Sequence, residues 1–212
     1  MFNWIKYKEI QGIIDKKGGF TEIIAISKNH PKTSVLEALT KGVLVFGENR
    51  VMEAKSKFFD LKKEFPQIKL HLTGPLQSNK VKDAVNLFDV IHTLDREKIA
   101  KELHKHKEKM LHKKIFIQVN IGKEETKSGI FPENLKSFVN YCIKDLSLNI
   151  CGLMCIPPVD DNPSDHFKYL DELNNENNLK ELSIGMSNDY KQAIDFKPKY
   201  IRLGTILFGQ RQ

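Results

Sequence analysis

The stretch Thr21-Glu-Ile-Ile-Ala-Ile-Ser-Lys28 decides the fold, because it is a short β-rich run that ends on a polar and then a charged residue. We predict a strand over Ile23–Ser27, since β-branched isoleucines favour the extended chain. A helical pattern follows. Ser34-Val-Leu-Glu37 has the spacing of a capping box and predicts a short helix that carries Leu36 and Leu39. This part of the chain therefore predicts one strand–helix unit.

The same unit recurs along the whole chain. Apolar residues at i, i+3, i+4 and i+7 from Val81, and again from Leu135, predict amphipathic helices between the β-rich runs. Strands joined by helical crossovers indicate a parallel sheet. The predicted strands are Ile23–Ser27, Val43–Gly47, Lys69–Thr73, Val90–Thr93, Ile115–Asn120, Ile150–Cys155, Leu182–Gly185 and Tyr200–Gly204.

A closed (β/α)8 TIM barrel fits this pattern better than an open doubly wound sheet. The 212 residues are close to the lower limit of about 200 for that fold. An open sheet would leave two edge strands, yet the first and last predicted strands are both apolar. We therefore expect one barrel domain over residues 1–212 with no second domain. The chain leaves no room for an eighth helix after the last strand. We therefore expect residues 3–16, with Ile10, Ile13 and Ile14 on one face, to form an N-terminal helix that takes this place beside the first and last strands.

The charge of the chain does not indicate a nucleic-acid partner, although the net charge is +7. The densest basic region, Lys98–Lys114, keeps Ile99, Leu103 and Met110 at a rough helical spacing, so its lysines form the wet face of an amphipathic helix. No aromatic residues alternate with these lysines to stack on bases. The histidines in this region have no Cys or carboxylate partner at metal-ligand spacing. We predict no nucleic-acid partner and no metal.

The remaining composition places the protein in the cytoplasm. No apolar run approaches the roughly 18 residues of a membrane span, and the N-terminus lacks the pattern of a secretory signal. Cys142, Cys151 and Cys155 are an odd and sparse set, which is typical of a reduced compartment.

Two basic residues lie where chemistry is expected in a barrel, at the ends of strands. Lys28 is either a solvated lysine or an amine that forms a Schiff base in an enclosed pocket. Arg202 shares a face of its strand with Tyr200 and Gly204, and either face of a barrel strand is enclosed. Burying a guanidinium without a partner is costly, so a structural ion pair and a ligand contact both remain open for Arg202.

Two loops suit a phosphate group, because barrels often bind phosphate after strands seven and eight. Ser187-Asn188-Asp189 is predicted to open a helix with Ser187 as its cap, and Gly204-Thr205 lets the backbone approach a ligand closely. Each loop alone fits an ordinary turn. Together with Lys28 and Arg202 they indicate an aldehyde-bearing phosphate cofactor, pyridoxal 5'-phosphate (PLP).

At this point the sequence resembles a known family, the pyridoxal phosphate homeostasis proteins of the YggS/PROSC type, which have an alanine-racemase-like barrel. The resemblance runs in order over nearly the whole chain, and the combination of motifs is specific although most single motifs are weak. The matching segments are Ala25-Ile-Ser-Lys28, Phe46-Gly-Glu-Asn49 with Glu53-Ala54, His71-Leu-Thr-Gly-Pro-Leu-Gln-Ser-Asn-Lys80, Gln118-Val-Asn-Ile121, Lys127-Ser-Gly129, Gly152-Leu-Met154 with Ile156-Pro157, Leu182-Ser-Ile-Gly-Met-Ser187 with Asp189, and Ile201-Arg-Leu-Gly-Thr205 with Phe208-Gly209.

The resemblance implies a PLP barrel of fold type III in which Lys28 carries the cofactor as a Schiff base. It also implies that Ser187, Gly204 and Thr205 hold the phosphate, that Arg202 faces the pyridine nitrogen, and that Asn49 and Met186 line the pocket. Arginine stays charged and does not readily give the ring nitrogen a proton, and an unprotonated ring is a poor electron sink.

The resemblance therefore implies intracellular PLP homeostasis without catalytic turnover, by a monomer with apo PLP-dependent enzymes as possible recipients. The alternative is a PLP-dependent amino-acid racemase, which needs two opposed proton donors where only Lys28 is evident. A third hypothesis is a barrel enzyme that acts on a phosphorylated metabolite.

Overall fold

The computed structural model describes residues 1–210, and within them eight parallel strands close a barrel in chain order. β1 pairs with both β2 and β8, so the barrel has no edge and the open-sheet alternative is wrong. The strand ends lie within about two residues of the predicted ones. The strands are β1 (Glu22–Ile26), β2 (Val45–Glu48), β3 (Lys69–Leu72), β4 (Val90–Leu94), β5 (Lys114–Gln118), β6 (Ile150–Met154), β7 (Glu181–Ser183) and β8 (Tyr200–Leu203).

Helices occupy the connections between the strands. A 3₁₀ turn at Ser78–Lys80 precedes α4, and a π-helical turn at Tyr141–Asp145 continues α7. In the described part of the chain, no helix has the length and apolar character needed to cross a lipid bilayer. The helices are α1 (Trp4–Lys16), α2 (Lys32–Thr40), α3 (Val51–Glu64), α4 (Val81–Leu87), α5 (Glu97–His104), α6 (Lys107–Met110), α7 (Pro132–Asn140), α8 (Pro163–Glu176), α9 (Tyr190–Ile194) and α10 (Thr205–Phe208).

Strand alternation divides the buried residues into two cores. Along β1, Ile23 and Ala25 join the large core that includes the helices, whereas Ile24 joins a separate small cluster with Phe116 and Tyr200. Successive side chains of a strand point to opposite faces of the sheet, so this small cluster fills the interior of the barrel.

The N-terminal helix lies where the sequence predicts it. Ile10 and Ile14 of α1 are buried, and the backbone N–H of Asn3 donates to the carbonyl of Leu207 in α10 at 2.7 Å. α10 directly follows β8, so α1 covers the side of the barrel where the last helix of the ring would lie. Ile13 is half-buried at the margin of this contact.

The predicted start of α2 is wrong by three residues. The helix begins at Lys32 with Pro31 at its N-cap position, so Ser34 does not cap it. Glu37 does not reach back to Ser34 and accepts a hydrogen bond from the backbone N–H of Phe2 at 2.9 Å. The contact with Phe2, two residues before α1, takes the carboxylate that the capping box would use.

The basic segment forms two short helices, α5 and α6. Ile99, Leu103 and Met110 are buried, which confirms the predicted apolar side. Lys101 pairs with Glu97 on the exposed side of α5. Such exposed pairs contribute little to stability, so this segment is a solvated surface packed on the barrel through its apolar residues.

Candidate functional site

A cavity of about 450 Å³ opens at the carboxyl end of the barrel, within the roughly 300–1,000 Å³ usual for small-molecule sites. Its wall is built from loops that follow β1, β2, β3, β6, β7 and β8, where catalysis and binding occur in this fold. All of the site residues predicted from the sequence line it, namely Lys28, Asn49, Met186, Ser187, Arg202, Gly204 and Thr205.

Arg202 is a buried cation whose partners are neutral. It is 5% exposed, and its Nη1 donates to the carbonyl and the hydroxyl of Ser183 at 2.6 and 2.8 Å. Its Nη2 donates to the carbonyl of Cys155 at 2.9 Å. Burial lowers the pKa of Arg202 from its usual value. Of the two interpretations of Arg202, an ion pair and a ligand contact, the contacts within residues 1–210 favour the ligand contact, since no carboxylate among them forms an ion pair with Arg202 and Asp189 acts on it only through its charge.

The hydroxyl of Ser183 begins a hydrogen-bond chain through the interior of the barrel. Ser183 Oγ lies 2.8 Å from His92 Nδ1, and His92 Nε2 lies 2.9 Å from His71 Nδ1. Arg202 has only donors, so Ser183 Oγ accepts from it. The hydroxyl keeps its hydrogen and a second lone pair, so it can pair with Nδ1 of either neutral tautomer of His92, and His92 Nε2 pairs with His71 in turn. The guanidinium is thus the fixed donor at one end of the chain.

His71 and His92, the two histidines of this hydrogen-bond chain, are neutral over the physiological pH range. Burial lowers the pKa of His71 to about 3, and burial together with the neighbouring His71 and Arg202 lowers the pKa of His92 well below its usual value. The His92 ring stacks on Phe116 at 4.8 Å between centroids, and Tyr200 contacts both histidine rings edge-on. Packed aromatic rings on these sides exclude the water that would solvate a charged imidazole.

Asn49 is fixed at the wall of the cavity by its neighbours. The hydroxyl of Thr73 donates to Asn49 Oδ1 at 3.0 Å. Gly74 packs against the same residue so closely that a Cβ added there would lie 2.3 Å from the carbonyl oxygen of Asn49 and 2.7 Å from its Cα. The loop after β3 therefore sets the position of a residue in the loop after β2.

The two predicted phosphate loops differ in how they meet a helix. Ser187 does not cap α9, which is a correction: a turn intervenes, Asp189 stands at the N-cap position, and its carboxylate accepts from the backbone N–H of Met186. Gly204 is the N-cap of α10, so the first N–H groups of α10, beginning with Thr205, have no acceptor within the helix. Ser187 reaches the cavity from a turn and Thr205 from a helix start.

Five lining residues are not among the predicted site residues, although the last belongs to the predicted phosphate loop after β7: Ile26, His30, Thr73, Ile156 and Asn188. His30 stacks on Phe208 with 5.2 Å between the ring centroids. The sequence signal for His30 is its position two residues after Lys28, in the same loop at the end of a strand. The polar residues of the interior chain also carried a signal, because each interrupts an otherwise apolar strand.

Three comparisons with known proteins, by family, by sequence and by solved structure, agree with one another. Residues 7–212 match the family described as the N-terminal domain of alanine racemase. A pyridoxal phosphate homeostasis protein of Aquifex aeolicus is 39% identical over 201 residues, which cover 90% of this chain and 87% of that one. Another, from Synechocystis sp., is 34% identical over the full length of both chains.

Solved structures agree on the fold. PipY of Synechococcus elongatus, solved with PLP bound, has a TM-score of 0.85 and 31% identity over 96% of this chain and all of that one. Alanine racemase of Corynebacterium glutamicum has a TM-score of 0.69 and 14% identity over 97% of this chain and 60% of that one, which shows the shared fold alone.

Proposed function

The chain belongs to the family of pyridoxal phosphate homeostasis proteins, and from this premise we propose that it binds PLP at the mouth of the barrel and acts in the intracellular homeostasis of that cofactor. The observation that carries the proposal is Arg202, a buried cation with neutral partners, in one cavity with Lys28 and the Gly204–Thr205 helix start. This combination suits a ligand that carries both a hydrogen-bond acceptor and an anionic group.

The donor set of the cavity fits PLP part by part. Three of the five N–H donors of Arg202 are used on protein acceptors, which leaves donors for a ring nitrogen that accepts. Hydroxyls of Ser187 and Thr205, with the N–H groups at the start of α10, suit the phosphate. Asn49 and Met186 form the wall beside the ring. Each of these roles is part of the proposal.

Lys28 is the proposed covalent anchor. Its Nζ would hold PLP through a C=N bond to the aldehyde carbon, with the carbonyl oxygen leaving as water, so atoms balance without a further reactant. When bound, PLP supplies an electron-withdrawing ring to whatever amine it holds. Arg202 weakens that property, because a guanidinium held as a donor does not hand its proton to the ring nitrogen. We therefore propose carriage and control of PLP without turnover.

A racemase is the second candidate, and His30 is the observation that favours it. A second proton donor is what racemisation requires, and His30 lines the cavity within two residues of Lys28. Steady racemisation of alanine that is lost in both Lys28→Ala and His30→Gln would establish this candidate in place of ours.

The test of the main proposal is an absorbance titration of the protein with PLP, followed by borohydride reduction and peptide mass mapping. We expect a Schiff-base band and a reduced pyridoxyl adduct on Lys28. Lys28→Ala should lose both, while the exposed Lys41→Ala should keep both as the matched control. A band that persists in Lys28→Ala, or no band in the wild type, would contradict the proposal.

We also propose that the protein is a cytoplasmic monomer that gives PLP to apo PLP-dependent enzymes. Light scattering should give a monomer mass near 24.5 kDa. The loaded protein should activate an apo enzyme faster than its measured release of PLP into buffer allows. Activation no faster than free release would leave storage, and not transfer, as the role.

A further inference from the structure

A buried lysine, Lys57 of α3, holds the loop that carries Lys28. Its side chain is 8% exposed, and its Nζ donates to the carbonyl of Ser27 at 2.7 Å and to the carbonyl of His30 at 3.1 Å. These two carbonyls lie on either side of Lys28 and Asn29 in the chain. The ammonium group of Lys57 therefore bridges the two ends of this loop.

Two carboxylates hold Lys57 and also bind the same loop. Glu48 Oε1 lies 2.6 Å from Lys57 Nζ and accepts from the hydroxyl of Ser27 at 2.6 Å. Glu53 Oε1 lies 2.9 Å from Lys57 Nζ and accepts from the backbone N–H of Asn29 at 2.6 Å. We call Lys57, Glu48 and Glu53 the loop clamp.

The clamp fixes a backbone shape that the loop would not keep alone. Asn29 has φ of +61°, in the left-handed region that costs energy for a residue with a side chain. The Glu53 bond to the Asn29 N–H and the Lys57 bonds on both sides hold this shape. Charged groups as buried as Lys57 and Glu48 are expensive, and apolar residues would pack the space at lower cost. What the charged cluster adds is a defined position for the backbone of Lys28.

We propose that Lys57, Glu48 and Glu53 position Lys28 for its reaction with the PLP aldehyde, an inference that rests on the proposed function above. Lys57 itself forms no covalent bond in this scheme, because its three N–H donors are taken up by the clamp and the loop carbonyls. A loop that is already ordered loses less conformational freedom when Lys28 becomes tethered. The clamp is thus a positioning device and not a catalytic group.

The test compares Lys57→Met with Lys55→Met, a change on the same helix that removes only the pair between Lys55 and Asp83. We expect PLP affinity and the rate of adduct formation on Lys28 to fall about tenfold or more in Lys57→Met, from the freedom regained by the loop. Lys57→Arg keeps the charge and the donors and should recover most of the loss. Lys55→Met should match the wild type.

A second measurement uses the protein without PLP. Amide hydrogen exchange at Asn29 should quicken in Lys57→Met and Glu53→Ala and stay at the wild-type rate in Lys55→Met. Glu53 is partly exposed, so Glu53→Ala decides the question if Lys57→Met fails to fold because Glu48 is left unpaired.

The outcomes separate the two proposals. If the wild type forms no adduct on Lys28, the proposed function fails and this inference fails with it. If the wild type forms the adduct and the folded clamp variants form it equally fast and bind PLP equally tightly, only the positioning role is overturned.

Discussion

The buried histidines of the barrel interior make the stability of the protein depend on pH in a calculable way. The pKa of His71 falls from 6.5 in the unfolded chain to about 3 in the folded protein. Between these values the unfolded chain binds more protons than the folded one, so the free energy of unfolding falls as the pH falls. A pH of 5 lies about 1.5 units below the pKa of the histidine in the unfolded chain, and each pH unit changes the free energy of unfolding by about 1.4 kcal/mol. His71 alone therefore lowers the free energy of unfolding by about 2 kcal/mol between pH 7.5 and pH 5, and His92 adds a loss in the same direction.

The variant His71→Asn isolates this effect. Asparagine offers both an amide oxygen and an amide N–H near the position of Nδ1, so it can pair with His92 Nε2 in either tautomer, and it does not titrate in this range. The variant should be less stable at neutral pH because it is smaller, yet its loss between pH 7.5 and pH 5 should be about 2 kcal/mol smaller than that of the wild type.

Urea unfolding at each pH, followed by circular dichroism and by the fluorescence of Trp4, measures the loss. The exposed His112→Asn is the control and should keep the wild-type loss. The reasoning would be refuted if His71→Asn lost as much stability as the wild type over the same pH interval with an unchanged urea slope.

Three further predictions follow from close packing. Gly152→Ala places a Cβ 1.7 Å from the carbonyl oxygen of Glu181 in the neighbouring strand, so we expect a loss of about 3 kcal/mol or more, seen as a fall in the melting temperature; a melting temperature within a degree or so of the wild type would contradict it. Gly74→Ala displaces Asn49 from the wall of the cavity, so titration with PLP should show affinity about tenfold weaker than the wild type, and an unchanged affinity would show that Asn49 does not contact the ligand. Ile10→Ala removes a fully buried side chain from α1 and should lower the free energy of unfolding by about 2–5 kcal/mol in urea, whereas a negligible change would mean that α1 does not stabilise the barrel by packing on it.

The barrel was predictable because its evidence is local. Each strand is a short apolar run, each connection has helical spacing, and the order of the two along the chain limits the fold to very few topologies. The helix starts at Ser34 and Ser187 were mispredicted for a physical reason. Whether a residue takes part in a helix cap depends on which groups compete for its side chain. The carboxylate of Glu37 accepts from the backbone N–H of Phe2, which lies outside α2.

The sequence predicts the residues that line the cavity more readily than the residues that hold them in place. Lys28 and Arg202 stand at strand ends, which is a position that the sequence reveals. Lys57 lies in an ordinary amphipathic helix, and its contact with Ser27 joins residues that are 30 positions apart. Ser183 and His92 are 91 positions apart. Contacts over such distances depend on the closure of the barrel and have no local pattern that announces them.

The hydrogen-bond chain inside the barrel has a consequence for anyone who redesigns this protein. Ser183, His92 and His71 each satisfy the next group, so replacing one of them with an apolar residue strands a buried donor or acceptor on its neighbour at a cost of about 1–3 kcal/mol. Replacing all three at once removes the stranded groups but leaves the Arg202 guanidinium with one acceptor fewer. Any thermostabilised version must therefore treat these positions as one unit, to be kept or exchanged as a block, with Arg202 marking where that block ends and the ligand site begins.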